Sequence, residues 1–293
     1  MILVLGVTGH TGSQTARQLV SHGLEVRGVT RDPQKARLLP ALANVPMVAG
    51  DSSSPESLRP LLDGVSKIYL VPPTAPGWDA MQSGIIAAAA ASGVEHIVKL
   101  SAMGAGADEP SMSLRFHWLG EQEIESSGMA FTHIRANSFF QNTLFDAATI
   151  KSEGRFFSCV GDAHFAKIDT RDISDVVVKA LLEDGHRGQT YELTGSESLG
   201  YKDLADRIAG AVGNPVEYID LDTSAYAALL AKSGLPDWMA LEFTDIYGRG
   251  FYRSGGGARI TDTVARLLGR PPRTFAAFAA EYSEVFRRGG QCA

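Results

Sequence analysis

The sequence predicts an α/β fold, a doubly wound parallel sheet followed by a smaller, mostly helical C-terminal region. Three observations carry that prediction. Short apolar runs alternate with segments of helical length and spacing through the first half of the chain. The first run leads straight into a glycine-rich turn, Gly6-Val7-Thr8-Gly9-His10-Thr11-Gly12, and then into an amphipathic stretch. The composition, 293 residues with 44% hydrophobic and 20% charged, is that of an ordinary globular protein.

Residues 2–5 read as a fully buried strand and 13–22 as the helix after the glycine turn. Further strands are expected at 24–29, 46–49, 68–71, 97–100 and 131–134. Between them, 33–42, 55–62, 80–92 and 114–126 have helical character. Strands alternating with helices imply right-handed crossovers and a parallel sheet covered on both faces, a Rossmann-type arrangement. After Asn142 the pattern changes. An extended piece at 154–159, helices at 173–182 and 201–212, and a strand at 190–193 are expected. Residues 225–250 read as helix broken at Gly234 and Pro236, the run Ser254-Gly255-Gly256-Gly257 as a mobile loop, and 274–288 as a closing helix. Two domains follow: a Rossmann domain over 1–153, with segments around 170–194 returning to it, and a substrate-binding or lid region over 154–293.

The glycine turn carries the first functional expectation. Gly6, Gly9 and Gly12 follow a strand and open a helix, the setting in which glycines permit a tight turn, close approach of a diphosphate and close strand–helix packing. The amides of the helix amino end then face an anion, with Thr8, His10 and Thr11 on the same loop. The second strand ends Val29-Thr30-Arg31-Asp32-Pro33. Arg31 suits a 2′-phosphate, with Thr30 adding a hydroxyl, so NADP(H) is expected over NAD(H). Asp32 leaves two readings open, a ribose acceptor or the cap of the helix that Pro33 starts. Gly50 and Asp51, after the third strand, are placed to border the adenine or to form a polar turn.

Beyond these residues the chain resembles a known family. Gly6-x-x-Gly9-x-x-Gly12, Thr30-Arg31, Gly50-Asp51, a helix with His117-x-x-x-Glu121, and Phe131-Thr132-His133-Ile134-Arg135-Ala136-Asn137-Ser138-Phe139-Phe140 together resemble the NmrA-like proteins. These form an atypical branch of the short-chain dehydrogenase/reductase superfamily. Gln189-Thr190-Tyr191-Glu192-Leu193-Thr194-Gly195 and Tyr201-Lys202-Asp203-Leu204-Ala205 extend the likeness over nearly the whole chain. Within the family it is most similar to bacterial triphenylmethane and azo-dye reductases and NAD(P)H:quinone oxidoreductases, and Tyr69-Leu70-Val71-Pro72-Pro73 resembles fungal ergot-alkaloid reductases.

One departure bears on mechanism. None of the eight tyrosines has a lysine four residues later, so the Tyr-x-x-x-Lys pair typical of the superfamily is missing. The resemblance therefore implies the cofactor more firmly than catalysis, since some NmrA-like proteins bind NADP and act as redox sensors. A quinone, an iminium ion or a cationic dye accepts hydride at an electron-poor centre and needs little acid catalysis. The expectation is accordingly an NADPH-dependent oxidoreductase acting on a quinone-like, iminium or other conjugated aromatic substrate. The alternative is a catalytically silent NADP-binding regulator.

His117 is the candidate proton donor, or else a surface polar residue. Glu121, one turn on, would orient it or lie solvated on the helix. Ser101 ends the fifth strand where the superfamily keeps a substrate-binding hydroxyl, and it is also a candidate cofactor contact or a turn serine. Lys99, within that strand, projects either toward the cofactor or away from it. Val71, Pro72 and Pro73 would pass the nicotinamide ribose, and Asn137 and Phe139 would lie at the nicotinamide edge. Trp78, Trp238, Phe243, Tyr247 and Phe251 would offer aromatic surface for a flat ligand or serve as packing residues.

Other classes are disfavoured. A net charge of -6 argues against nucleic acid. Two cysteines, Cys159 and Cys292, make no disulfide framework, and neither a charged leader nor a bilayer-length apolar run is present, so a cytoplasmic protein with no membrane partner is expected. Dispersed histidines predict no metal site, and no Gly-x-Ser-x-Gly elbow suggests a hydrolase. A homodimer is carried as an option for the assembly.

Overall fold

The computed structural model describes residues 1–73 and 75–287, which divide into two compact units. Unit 1 takes residues 1–107, 116–136 and 170–192; unit 2 takes 108–115, 137–169 and the chain from 193 onward.

Unit 1 is built on strands β1 (Ile2–Val4), β2 (Val26–Thr30), β3 (Met47–Ala49), β4 (Lys67–Leu70), β5 (His96–Ala102) and β6 (Ala130–Ala136). They pair in the order β3-β2-β1-β4-β5-β6, parallel throughout, and the strand Gln189–Leu193 adds at β6. The order reverses between β1 and β4, the switch point at which doubly wound sheets hold their ligands. Burial explains the strands: every residue of β1 is buried, as are all but the last of β5, so both sheet faces are covered. The helices are α1 (His10–Ser21), α2 (Pro33–Ala36), α3 (Pro55–Leu58), α4 (Trp78–Ala91) and α5 (Met112–Ser126), whose first turn belongs to unit 2. Helix Thr170–Leu182 returns to unit 1 and packs on α1; its Ile173, Val176, Val177, Ala180 and Leu181 form one buried stripe at helical spacing.

Several boundaries move, each for a physical reason. Helix α1 starts at His10 instead of 13, because the glycine turn itself forms its first turn. The expected helix 33–42 stops at Ala36: Pro40 has no amide to donate and holds Leu39 extended, leaving a short 3-10 turn, Pro40–Leu42. Pro60 shortens 55–62 in the same way, to α3 and the 3-10 turn Arg59–Leu61. Residue 137 opens a stretch of unit 2, and Phe140 belongs to that unit's aromatic core.

That core gathers Phe140, Phe156, Phe165, Tyr201, Tyr252 and Phe275 among others. Strand Arg155–Ser158 pairs in parallel with Glu217–Asp220, which sequence reasoning missed. Helices Thr223–Lys232 and Asp237–Phe243 flank the expected break at Gly234 and Pro236, and a π-helical turn, Thr244–Arg249, follows. The segment expected as a mobile glycine loop includes a 3-10 turn, Gly256–Ala258. Gly257 is buried there because a Cβ would come within 2.5 Å of the Tyr252 ring, and its carbonyl accepts from Ala166 N and Asn137 Nδ2. The closing helix divides into Phe275–Glu281 and Ser283–Phe286; Arg288 and Cys292 lie outside the described residues.

Candidate functional site

The glycine turn has the shape of an anion cradle. Gly6 sits at φ +69°, a conformation that favours glycine, and a Cβ on it would lie 2.8 Å from Val71 Cβ. Val71 thus closes on the first glycine from the end of β4, with Pro72 buried behind it. Gly12 is pressed on the turn: a Cβ there would fall 2.2 Å from Gly6 O. Gly9 differs. A Cβ on it would meet only Gly6 O, at 3.3 Å, and otherwise open space. Gly9 caps α1 without a side chain, and no acidic residue occupies the first turn, so the leading amides of α1 have no side-chain acceptor. Thr8, Gly9 and His10 are exposed around this opening, while Thr11 is buried and its carbonyl accepts from Ser174 Oγ at 3.1 Å. A cradle that a diphosphate would fill is what a dinucleotide requires, and these residues fit it.

The ends of β2 and β3 come together beside it. Gly50 N donates to Thr30 O at 3.0 Å, and a Cβ on Gly50 would strike Leu61 and Val29, so packing alone calls for glycine there. Arg31 is exposed. Asp32 Oδ1 accepts from Lys35 N at 2.9 Å, which makes it the cap of α2. Asp51 Oδ1 accepts from Ser53 N and Ser53 Oγ, at 2.9 and 2.7 Å. Those bonds hold its carboxyl below the usual range, with the Arg31 charge adding to them. Arg31 and Asp51 therefore share one corner, where Arg31 is the group suited to a phosphate.

At the carboxyl end of β5 two buried polar clusters meet α5. Lys99, fully buried, places Nζ 3.0 Å from His117 Nδ1. Burial brings the ammonium down to about 7, against the pull of Glu121. His117 is held well below its ordinary value by burial and by Lys99, so the imidazole is uncharged at neutral pH. With the ammonium as donor, Nδ1 accepts and the ring hydrogen sits on Nε2. Trp78 packs its edge on the same ring at 5.0 Å.

The second cluster overturns the solvated reading of Glu121, which is only 1% exposed. Its carboxylate accepts from Arg135 Nε at 3.0 Å, Arg135 Nη2 at 2.5 Å and Ser101 Oγ at 2.5 Å. Ser101 and Arg135 are register partners across β5 and β6, so one carboxylate from α5 reaches both. Ser101 thereby spends its hydrogen on Glu121 and has only lone pairs left to offer a ligand.

In unit 2, Asn137 Nδ2 donates to Gly257 O at 2.9 Å and its Oδ1 accepts from Ser138 N, so this amide ties the turn after β6. Phe139 forms an isolated parallel bridge with Ile168. The same unit holds a cavity of about 390 Å³. Phe156, Phe243, Leu230 and Tyr247 line it, and Lys167 and Asp146 supply charge. Of the aromatic residues expected around a flat ligand, Phe243 and Tyr247 are brought to this cavity, whereas Trp78 belongs to unit 1. Lys167 and Asp146 were missed; the one local signal is a lysine set between the apolar residues Ala166 and Ile168. Among the described residues no group of three His, Cys, Asp or Glu could hold a metal, and no helix is long and apolar enough to cross a membrane.

Comparison with known proteins agrees with the cradle. A family model described as NAD(P)H-binding matches residues 6–184. The chain is 36% identical to an NAD(P)H azoreductase of Xenophilus azovorans over 290 residues, covering 98% of this chain and 99% of the relative. It is 35% identical to a (4-alkanoyl-5-oxo-2,5-dihydrofuran-3-yl)methyl phosphate reductase of Streptomyces griseus, over 98% and 99% of the two chains. The structure of an Escherichia coli NADPH-dependent quinone oxidoreductase complexed with NADPH superposes with a TM-score of 0.85 at 27% identity, covering 96% of this chain and 99% of the other. With the glycine cradle at the sheet's switch point and a family match over more than half its length, the chain belongs to the NAD(P)H-binding family.

Proposed function

We propose that this chain is an NADPH-dependent oxidoreductase that reduces conjugated, electron-poor aromatic or carbonyl acceptors. The observation that carries the reading is the uncapped amino end of α1 with clear space over Gly9, in a chain whose full-length relatives are named reductases. When bound, the nicotinamide cofactor supplies the hydride. The chain's own residues do the rest. Amides of Gly9 to Gly12 receive the diphosphate, and Arg31 with Thr30 takes the 2′-phosphate, which favours NADPH over NADH. Val71, Pro72 and Pro73 give the loop after β4 a fixed wall, of which Pro72 and Pro73 have no amide to satisfy.

Proton delivery falls to His117. Its imidazole is neutral, so it acts through Nε2–H, and Lys99 at 3.0 Å from Nδ1 can replace the proton that leaves. This is a weaker acid than a Tyr/Lys pair. It suits substrates whose reduced product is a stabilised anion, such as a hydroquinone or an enolate, more than plain ketones. The named substrates of the relatives agree: an azo compound, a quinone and an unsaturated furanone are all conjugated acceptors.

The test is NADPH consumption, read as falling absorbance, against a panel of quinones, azo dyes and cationic dyes with a simple ketone as control. Turnover of conjugated members and none of the ketone is the expected result. Cofactor binding with no turnover of any member would replace the reductase with an NADP-responsive regulator.

A further inference from the structure

The cavity of unit 2 has an asymmetry that the cofactor cradle does not explain. Its wall is apolar, with Phe156, Leu204, Leu230, Met239 and Phe243 among the lining residues. Helix Thr223–Lys232 contributes Tyr226, Leu229 and Leu230 to that wall and yet buries none of its residues. Tyr226 packs against the aromatic core of unit 2, while Leu229 and Leu230 stay partly exposed at the cavity. Phe145, also in the lining, is 81% exposed, a large apolar side chain left in water at the cavity's edge. An apolar occupant would complete both contacts.

One buried cation interrupts the apolar wall. Lys167 is 3% exposed, and its Nζ donates to Ser138 Oγ at 2.8 Å and to Phe139 O at 3.5 Å. It lies 5.6 Å from the Tyr201 ring centroid and 5.8 Å from that of Phe165. Ser138 Oγ is in turn 3.2 Å from Tyr247 OH, so an ammonium, a hydroxyl and a phenol form one polar corner. An ammonium has three N–H donors, and two are engaged, the second only at the limit of hydrogen-bonding distance. A buried donor left unpaired is costly, and an acceptor oxygen on an occupant would relieve that cost.

We propose that this cavity binds a flat conjugated molecule whose carbonyl oxygen is held by Lys167 Nζ, which makes Lys167 the residue that selects carbonyl ligands over cationic ones. The inference concerns unit 2 alone and stands apart from the reductase reading above. Charge supports the choice. Asp146 lines the same cavity, and burial raises its carboxyl to about 7, against the pull of Lys167. Burial thus works against the carboxylate's charge, as it does against that of the Lys167 ammonium, and each group's charge pulls the other back. A neutral diketone gains a charge-assisted bond in that field, whereas a cationic dye meets a like charge.

The experiment is a calorimetric titration of the full-length chain with menadione, a neutral diketone, and with crystal violet, a cation, in the absence of NADPH. Three proteins are compared: wild type, Lys167→Met, which keeps an unbranched apolar side chain and removes the charge, and Leu230→Trp, which fills the cavity from a partly exposed wall. The expected result is menadione binding that weakens roughly tenfold or more in Lys167→Met, the loss of one hydrogen bond to a charged group, and that disappears in Leu230→Trp. Crystal violet should bind the wild type more weakly than menadione and gain from Lys167→Met. Menadione affinity within twofold of wild type in either variant, or no menadione binding by the wild type, overturns the proposal. If Lys167→Met does not fold, as judged by circular dichroism, Leu230→Trp alone decides the site. The two levels separate cleanly: menadione binding without NADPH consumption refutes the reductase reading only, and menadione binding unchanged by both substitutions refutes this assignment only.

Discussion

Two glycines of one loop should fail in opposite ways when each is given a methyl group. At Gly12 the added Cβ falls 2.2 Å from Gly6 O, 2.8 Å from Gly6 C and 3.0 Å from Val7 Cα, all backbone atoms that cannot rotate away. Relieving that overlap means moving the turn itself, and overpacking of this kind costs about 1–3 kcal/mol or more. At Gly9 the backbone is extended, φ -80° and ψ 170°, which any residue adopts, and the single close atom is Gly6 O at 3.3 Å. Gly9→Ala should leave stability within ~1 kcal/mol of wild type, and the stiffer unfolded chain pushes toward a gain. The methyl group instead occupies the space through which a diphosphate reaches the α1 amides. Losing one charge-assisted hydrogen bond there costs about 1.5–3 kcal/mol, roughly ten- to a hundredfold in NADPH affinity. Urea denaturation and calorimetric titration of both variants make the comparison. A Gly9→Ala protein that binds NADPH like wild type, or a Gly12→Ala protein as stable as wild type, would refute the assignment of the cradle.

Other consequences follow from the two polar clusters. Glu121→Gln removes the charge from a carboxylate that is 1% exposed and faces Arg135, itself 26% exposed. Breaking such a pair costs about 3 kcal/mol, or roughly 6–12 °C in Tm. Burial raises the Glu121 carboxyl, but the bonds from Arg135 and Ser101 outweigh it and leave the group below its ordinary 4.5. Its contribution is thus complete above that value and lost as pH falls through the lower folded value, so variant and wild type should converge in acid. A stability gap that persists unchanged there would contradict the ion pair. In the second cluster, NADPH-dependent turnover should decline along an alkaline limb as pH rises through about 7, where Lys99 loses its proton. Lys99→Met should remove that limb and His117→Ala should lower kcat; a pH profile untouched by either substitution would exclude the pair from proton delivery.

The parts of this molecule that the sequence revealed are those written in adjacent residues. The run before Gly6, the glycine spacing and the helix after Gly12 form one local signal, and the cradle follows from it. Prolines misled by position: Pro40 and Pro60 lie inside stretches of helical pattern, and each ends its helix early because the missing amide and the restricted preceding residue outweigh periodicity. The Glu121 cluster was hidden for another reason. Its members are joined by strand register, Ser101 opposite Arg135, and a lone sequence carries no register. Lys167 was hidden similarly, since Ser138, Tyr201 and Tyr247 approach it only after unit 2 has closed its aromatic core. The Asp32 cap, in contrast, could be read locally, from Pro33 beside it and the helical start that follows.

The central claim is that backbone amides at the start of α1 hold a dinucleotide while Arg31 chooses its phosphorylated form. Calorimetric titration of wild type and Arg31→Ala with NADPH and with NADH addresses it directly. The account predicts that wild type binds NADPH more tightly than NADH and that Arg31→Ala loses most of that preference while NADH affinity barely changes. No heat from either nucleotide at millimolar concentration, or equal losses for both in Arg31→Ala, would contradict it.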